Sequence, residues 1–393
     1  MVKSLVILYM PLSNKIIFLL VLVMSLSNAR AFQSIDSLKF QMEISDGTEK
    51  VDLMNALFRE IIVTNPSEAL NYALQGIALA EKLNYEQGKA NSLNNAGVAY
   101  KNLGIIDRAL EVYIESLGIN EKLNNREGMA SNFSNIGAIY SLKNDNDNAL
   151  DFFTRAYEIV KDSDDKERQI LALNNLGNVQ HTRTYNDLAR EYYTRSIALC
   201  METGLEKYLF DPLYNLGNIY FLEFILDSAL MSYSKALEIA RTYHNRDGEI
   251  YAITNIGKTY SRNGEYKVAL DTLTAALVLA DSMNSLPHQA EILYTLAYYY
   301  YDLGYKDQAF VTLQKTMEVN NALARMEANR KIEQMQNSLN NHMSDYYKKE
   351  ILIDDLQLKN SRSFVIIGML VVLLAVGGLF TYLKIRALKS EQS

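Results

Sequence analysis

The sequence predicts an all-α protein made of stacked helix pairs, and three observations predict it. A glycine returns every forty residues, as Gly97, Gly137, Gly177, Gly217 and Gly257, with Ala297 at the next step. Other residues return in the same register. Three residues after each glycine stands Tyr100, Tyr140, Tyr220, Tyr260 or Tyr300, with Gln180 the one break; later come Ala109, Ala149, Ala189, Ala229, Ala269 and Ala309, then Tyr113, Phe153, Tyr193, Tyr233, Leu273 and Leu313. Proline is scarce, four in 393 residues, which suits an almost wholly helical chain because proline breaks helix interiors. A constant period in this range means supersecondary units that bury their apolar faces against one another.

Within one unit, Gly97 and Ala109 flank a turn signal, Leu103-Gly104. This reads as helix, tight turn, helix, and the turn recurs as Lys143-Asn144, Asn263-Gly264 and Leu303-Gly304. Asp107, Asp147, Asp187, Asp227 and Asp307 stand where a side chain can cap the second helix. Asn65-Pro66 does the same in an earlier, degenerate copy, with Pro in the first helical position.

Leu93, Ala96-Gly97, Tyr100, Ala109, Tyr113 and Ser116 resemble the tetratricopeptide repeat, and Leu173, Leu176-Gly177, Ala189, Tyr193 and Ser196 match it more closely. The resemblance implies a right-handed superhelix of about seven repeats over residues 50–325. Two features depart from the family: the period is forty instead of about 34, and the proline closing the second helix is missing. Six extra residues amount to roughly one and two-thirds turns, so both helices are expected to be longer. The long form resembles repeats of bacterial peptide-sensing and transcription-regulating proteins.

Taken in order, residues 1–31 read as a signal peptide: Lys15, an apolar run from Ile16 to Leu26, and an Ala29-Arg30-Ala31 cleavage signal, with Met10 as an alternative start. Residues 32–49 are a polar lead-in. The repeats follow at 50, 90, 130, 170, 210, 250 and 290, with Leu57 in the first glycine place. Residues 326–362 read as a helical stalk, where Ile332, Leu339, Tyr346 and Ile353 keep a seven-residue spacing that allows a coiled-coil homodimer. Residues 363–383 contain an uncharged run, Phe364 to Leu383, long enough for one transmembrane helix. Residues 384–393 form a short tail. This plan places the chain in the inner membrane as a single-pass protein, repeats in the periplasm and C-terminus in the cytoplasm. It resembles the sensor part of Bacteroidetes-type tetratricopeptide histidine kinases and helix-turn-helix regulators, without their output domain.

Composition narrows the chemistry. A net charge of −7 argues against nucleic-acid binding. A single cysteine, Cys200, rules out an intramolecular disulfide. Residues 252–259 fit a loose phosphate-loop pattern, but they fall in the middle of a repeat helix instead of after a strand. Asn144 to Asp147 hints at a calcium loop but lacks the glycine and closing glutamate that such a loop needs. His181, His244, His288 and His342 lack metal spacing, and no nucleophile–base pattern stands out. The sequence therefore reads as a non-enzyme with no catalytic residue, metal or cofactor.

Asn95, Asn135, Asn175, Asn215 and Asn255 each stand two residues before the glycine place. The resemblance puts them on the first helix, toward the concave groove. A carboxamide supplies both donors and an acceptor and can hold the backbone of an extended peptide. Asn178, Asn218, Lys258 and Arg262 share that face by helical spacing, and Tyr294, Tyr298 and Tyr301 make its later end aromatic. Two uses stay open: groove binding, or bonding between neighbouring helices. The function expected is a membrane-anchored scaffold or receptor for a protein or extended peptide. The alternative is the sensory half of a split two-component or transcription-regulating system with a membrane-embedded signalling partner.

Overall fold

The computed structural model describes residues 35–329 and Ile332. The chain divides into two compact units, one up to Met317 and one from Glu318. The described residues of the first unit form helices in series: α1 (Ile35–Ile44), α2 (Gly47–Ile61), α3 (Pro66–Lys82), α4 (Glu86–Asn102), α5 (Ile106–Lys122), α6 (Arg126–Leu142), α7 (Asn146–Val160), α8 (Lys166–Thr182), α9 (Asn186–Thr203), α10 (Phe210–Leu222), α11 (Leu226–Thr242), α12 (Arg246–Arg262), α13 (Tyr266–Ser282) and α14 (Leu286–Asp302). A further helix, α15, opens at 306, and residues 318–329 of the second unit are helical as well. Even-numbered helices from α2 to α14 are the first helices of seven repeats. They touch one another from repeat to repeat, while the second helices make no comparable contact, so the first helices form the inner layer of the stack.

The missing side chain at the repeated glycine sets the distance between the two helices of a repeat. A Cβ on Gly177 would stand 2.5 Å from the Tyr193 ring, one on Gly217 2.7 Å from Tyr233, and one on Gly137 2.8 Å from Phe153. Those separations lie far inside van der Waals contact, so only glycine admits the ring. Tyr113, Tyr193 and Tyr233 are accordingly among the largest fully buried side chains. Repeat 1 fills the same space the other way round. Leu57 takes the glycine place and Ala73 the ring place, and both are fully buried. Large and small have exchanged helices with the gap still filled.

Most of these helices run for 17 residues, as in α4, α5 and α6, so two helices and two short turns make the forty-residue period. Most turns close on a residue with positive φ; the turns between α2 and α3 and between α7 and α8 do not. Inside the repeats these are Gly104, Asn144, Thr184, Phe224, Gly264 and Gly304; between them are Asn84, Asn124, Gly204, His244 and Asn284. The following N–H reaches back to a carbonyl five residues earlier, as from Tyr85 to Ala80 and from Ile105 to Tyr100, which satisfies helix-end carbonyls. Thr184 (φ 68°) is β-branched in a left-handed conformation that costs L-residues roughly 1–2 kcal/mol.

Several expectations need correction. Asp107, Asp147, Asp187 and Asp227 sit inside the first turn and are not the caps; Ile105, Asp145, Tyr185 and Ile225 hold the cap position. The carboxylates act instead on the positive helix end. Asn65 does cap α3, accepting from the Glu68 N–H at 3.1 Å, and Pro66 follows. The lead-in contains a helix, α1, whose Leu38 enters the core against Leu57, Phe58 and Ile61. Repeat 5 also departs from the register. Its first helix begins only at Phe210, after a 3-10 turn over Glu206–Tyr208. Pro212 explains this: it has no N–H for an α-helical bond, and its ring clashes with the carbonyl four residues back.

The expected transmembrane helix is not carried forward. Among the described residues no helix is long and apolar enough to cross a membrane. Helices such as Ile106–Lys122 and Leu226–Thr242 are amphipathic, with charged residues on the face away from the core. The stretch read as a span, 363–383, lies outside the described residues, as do the signal peptide 1–31, the tail 384–393 and nearly all of the stalk 326–362. The fold is an all-α repeat superhelix with no membrane span assigned, and the inner-membrane location that rested on that span falls with it.

Replacing Gly137 by Leu is expected to lower stability by about 3 kcal/mol through overpacking. Adding Phe153→Ala to it recreates the exchange of repeat 1, and urea midpoints should return most of the way. Thr184→Gly should raise stability by about 1 kcal/mol, seen as a higher Tm.

Candidate binding face

The inner layer exposes one face of α4, α6, α8, α10, α12 and α14, and the repeated asparagines lie along it. Their donors are largely spent on the preceding helix. Asn95 Nδ2 donates to Asn55 Oδ1 at 2.8 Å, and Asn135 Nδ2 to Asn94 Oδ1 at 2.9 Å. Asn215 Nδ2 donates to Asn178 Oδ1 at 2.8 Å. Asn255 Nδ2 reaches both the Tyr214 hydroxyl, at 2.9 Å, and Asn218 Oδ1, at 3.1 Å. Asn175 is half-buried and has no side-chain partner among the described residues. Bonding between neighbouring helices is thus what four of the five ladder amides do.

Asn178 and Asn218 are different. The Tyr193 hydroxyl, emerging past Gly177, donates to Asn178 Oδ1 at 2.8 Å. The Tyr233 hydroxyl does the same to Asn218 Oδ1, also at 2.8 Å. Each of these oxygens therefore accepts twice, once from the ring of its own repeat and once from the next repeat's ladder amide. A carboxamide oxygen has two lone pairs, so the acceptor is filled and the group cannot turn over. Asn178 Nδ2 has no partner among the described residues, while Asn218 Nδ2 lies beside the Tyr214 hydroxyl. The arrangement can hold a carbonyl oxygen from a ligand.

The ring decides which residue stands next to the glycine. Where it is Tyr193 or Tyr233 the neighbour is Asn178 or Asn218; where it is Phe153, with no hydroxyl, the neighbour is Ala138; where it is Leu273, the neighbour is Lys258. Repeat 2 breaks the rule. Tyr113 faces Val98, and its buried hydroxyl has no partner among the described residues. Burial holds the Tyr113 phenol well above its ordinary range. The sequence marks Tyr193 and Tyr233 as repeat-register residues but not as part of the binding face. The signal was present in the joint variation of the glycine's neighbour with the ring sixteen residues on.

The remaining candidates divide. Lys258 is paired with Glu291 at 2.6 Å. Arg262 donates to the Phe221 carbonyl at 2.8 Å and lies over the Phe224 ring, 3.4 Å from its centroid. It holds the end of α10 and the positive-φ residue beyond it, a structural post. Tyr294, Tyr298 and Tyr301 are each more than half exposed and form an aromatic wall on α14. Inward of it Tyr214 stacks on Phe210 at 5.6 Å, and burial pushes its phenol up to about 12. Gly257, in the phosphate-loop-like stretch, is mid-helix in α12 and packs on Leu273. In the calcium-like stretch, Asp145 caps α7 through the Asn148 N–H. Among the described residues no three metal-ligating side chains cluster.

A tetratricopeptide repeat family model matches residues 88–162, 128–202 and 208–282. No curated protein matches the sequence. Solved structures are similar. The apo form of the quorum sensor NprR from B. thuringiensis is 17% identical over 76% of this chain and 84% of its own, with a TM-score of 0.60. A Rap protein complexed with Competence and Sporulation Factor is 17% identical over 74% of this chain and 80% of its own, with a TM-score of 0.55. Aspartyl phosphate phosphatase F from Bacillus subtilis is 12% identical over 70% of this chain and 71% of its own, with a TM-score of 0.54. At such identities the likeness is one of fold.

Tyr113→Phe is expected to leave stability unchanged or raise it, because it removes an unpaired buried hydroxyl. Tyr193→Phe should lower it by about 1 kcal/mol by breaking a made bond. Equal urea midpoints for the two variants would remove the distinction.

Proposed function

Since this chain is a tetratricopeptide-repeat protein, we propose that it is a binding scaffold whose inner face takes a protein segment or an extended peptide. One observation carries the reading: Asn178 and Asn218 have their oxygens fixed by two donors each, which orients both Nδ2 groups, that of Asn178 with no partner among the described residues and that of Asn218 beside the Tyr214 hydroxyl. Such donors suit main-chain carbonyls, which every peptide carries whatever its sequence. Neighbouring packed helices lie roughly 8–10 Å apart. An extended chain rises about 3.3 Å per residue, so the two amides meet carbonyls about three residues apart. Tyr294, Tyr298 and Tyr301 add apolar surface with a polar tip, which suits side-chain recognition. The fold likeness to a Rap protein solved with a bound factor and to a quorum sensor accords with this reading.

The test must separate lost binding from lost folding. Asn178→Ala alone would strand the Tyr193 hydroxyl, so it is paired with Tyr193→Phe, which recreates the Ala138/Phe153 solution of repeat 3. The same is done with Asn218→Ala and Tyr233→Phe. Peptides are selected from a displayed library on the full chain, and their affinity is measured on the fourfold variant. A loss of about tenfold or more per amide pair, roughly 1.4 kcal/mol, is expected with thermal stability kept. Undiminished affinity would overturn the proposal.

A further inference from the structure

The junction of repeats 2 and 3 breaks the apolar pattern of the core. Asn120 and Asn132 are 3% and 0% exposed. The other repeats hold Ala80, Val160, Cys200, Ala240 and Ala280 in the first place, and Ser92, Ala172, Pro212, Ala252 and Ile292 in the second. A buried carboxamide is costly unless it is fully bonded, and these two are. Asn125 Nδ2 donates to Asn120 Oδ1 at 2.8 Å, and Asn120 Nδ2 to Asn132 Oδ1 at 2.8 Å. Asn132 Nδ2 then donates to Asn94 Oδ1 at 3.3 Å. A branch runs from Asn125 Nδ2 to Gln87 Oε1 at 3.3 Å, and from Gln87 Nε2 to Asn91 Oδ1 at 3.1 Å. The Gly128 N–H feeds the start, donating to Asn125 Oδ1.

Asn125, Asn120 and Asn132 donate in sequence toward α4, and Asn132 Nδ2 also donates to Ser116 Oγ at 3.0 Å, a hydroxyl that passes on to the Ala90 carbonyl at 2.8 Å. Both branches end on the inner face, at Asn91 and Asn94, whose oxygens are occupied and whose Nδ2 groups have no partner among the described residues. Aligned hydrogen bonds polarise one another, which strengthens the terminal donors. Both residues line a cavity of about 390 Å³, together with Ser131, Glu127 and Arg168. That volume falls at the lower end of ligand sites. Charge at the cavity is balanced, since Arg168 pairs with Glu127 at 2.8 Å and with Asp165 at 3.1 Å. A carboxylate entering would meet Glu127, and an ammonium would meet Arg168. A neutral group with a carbonyl for Asn91 and Asn94 and an N–H for Glu127 meets neither penalty.

We infer that this cavity is a subsite for the carboxamide side chain of an Asn or Gln residue in a polypeptide ligand. It rests on the reading of the chain as a polypeptide-binding scaffold, but it uses none of the residues that carry that reading.

The test is an NMR titration of the full chain labelled with ¹⁵N-asparagine, following the side-chain NH₂ signals of Asn91 and Asn94. The probes are acetyl-Gly-Gln-Gly-amide, its Leu and Glu counterparts, and maltotriose. Saturable shifts with the Gln probe alone are expected, weakened by about tenfold in Asn91→Ala, whose side chain bonds only Gln87. Equal shifts with the Leu or Glu probe, or none with the Gln probe, would overturn the inference. A response to maltotriose alone would do so too, by assigning the cavity to carbohydrate. If Asn91→Ala binds the Gln probe normally while the Asn178→Ala, Tyr193→Phe pair does not, the peptide lies on the face of repeats 4 and 5. That result sinks this subsite and leaves the proposed function standing. The converse, binding lost in Asn91→Ala and kept in the Asn178→Ala, Tyr193→Phe pair, supports the subsite.

Discussion

The contact between a glycine on the first helix and a ring on the second governs this structure. At Gly177 and Gly217 any Cβ would overlap Tyr193 or Tyr233, so the helices approach as closely as backbone allows. The ring then reaches through the layer to the inner face. Repeat 1 shows that the requirement is a filled gap and not a particular pair of residues. Leu57 and Ala73 meet it with the sizes exchanged. This is the behaviour expected of an interior packed to crystal-like density, where volume matters more than identity.

The same contact ties the core to the exposed face. A tyrosine ring carries a hydroxyl that must be paired when buried, and the pairing partner stands on the surface where a ligand would lie. Asn178 and Asn218 thus serve the core with their oxygens and face outward with their nitrogens. Where the ring is Phe153 the demand vanishes, and Ala138 suffices. Tyr113 opposite Val98 keeps the ring but has lost the partner, leaving an orphaned hydroxyl. Each made bond contributes only about 1 kcal/mol to stability. Its larger effect is orientation, because a carboxamide held at its oxygen presents its nitrogen in one direction.

Chemistry changes along the inner face even though the scaffold repeats. Repeats 2 and 3 meet across a buried relay of amides. Repeats 4 and 5 offer single fixed amides. Lys258 and Arg262 in repeat 6 are engaged with Glu291 and with the end of α10. Repeat 7 ends in exposed tyrosines. Polar groups kept in a core where Ala and Val would pack better need a reason beyond stability. At Asn120 and Asn132 that reason is the pair of oriented donors at the relay's end.

The sequence by itself determined the period, the helix–turn–helix unit, the turn positions and the order of the repeats. These follow from small, aromatic and turn-forming residues at fixed separations along one chain, and a linear pattern is enough to read them. It also placed the asparagines on one face, because helical spacing alone does that. Its reading of Asp107 and its fellows as caps missed by two residues, since the capping residue is fixed by where the turn ends. Only the tertiary structure decided what each amide does. The bonds that matter join residues 37 to 41 apart, as from Asn215 to Asn178 and from Asn255 to Tyr214, or bring a ring through a gap that glycine leaves. Which donor is spent and which is left over depends on the partner that the neighbouring helix supplies, and that partner is set by packing, not by position in the repeat.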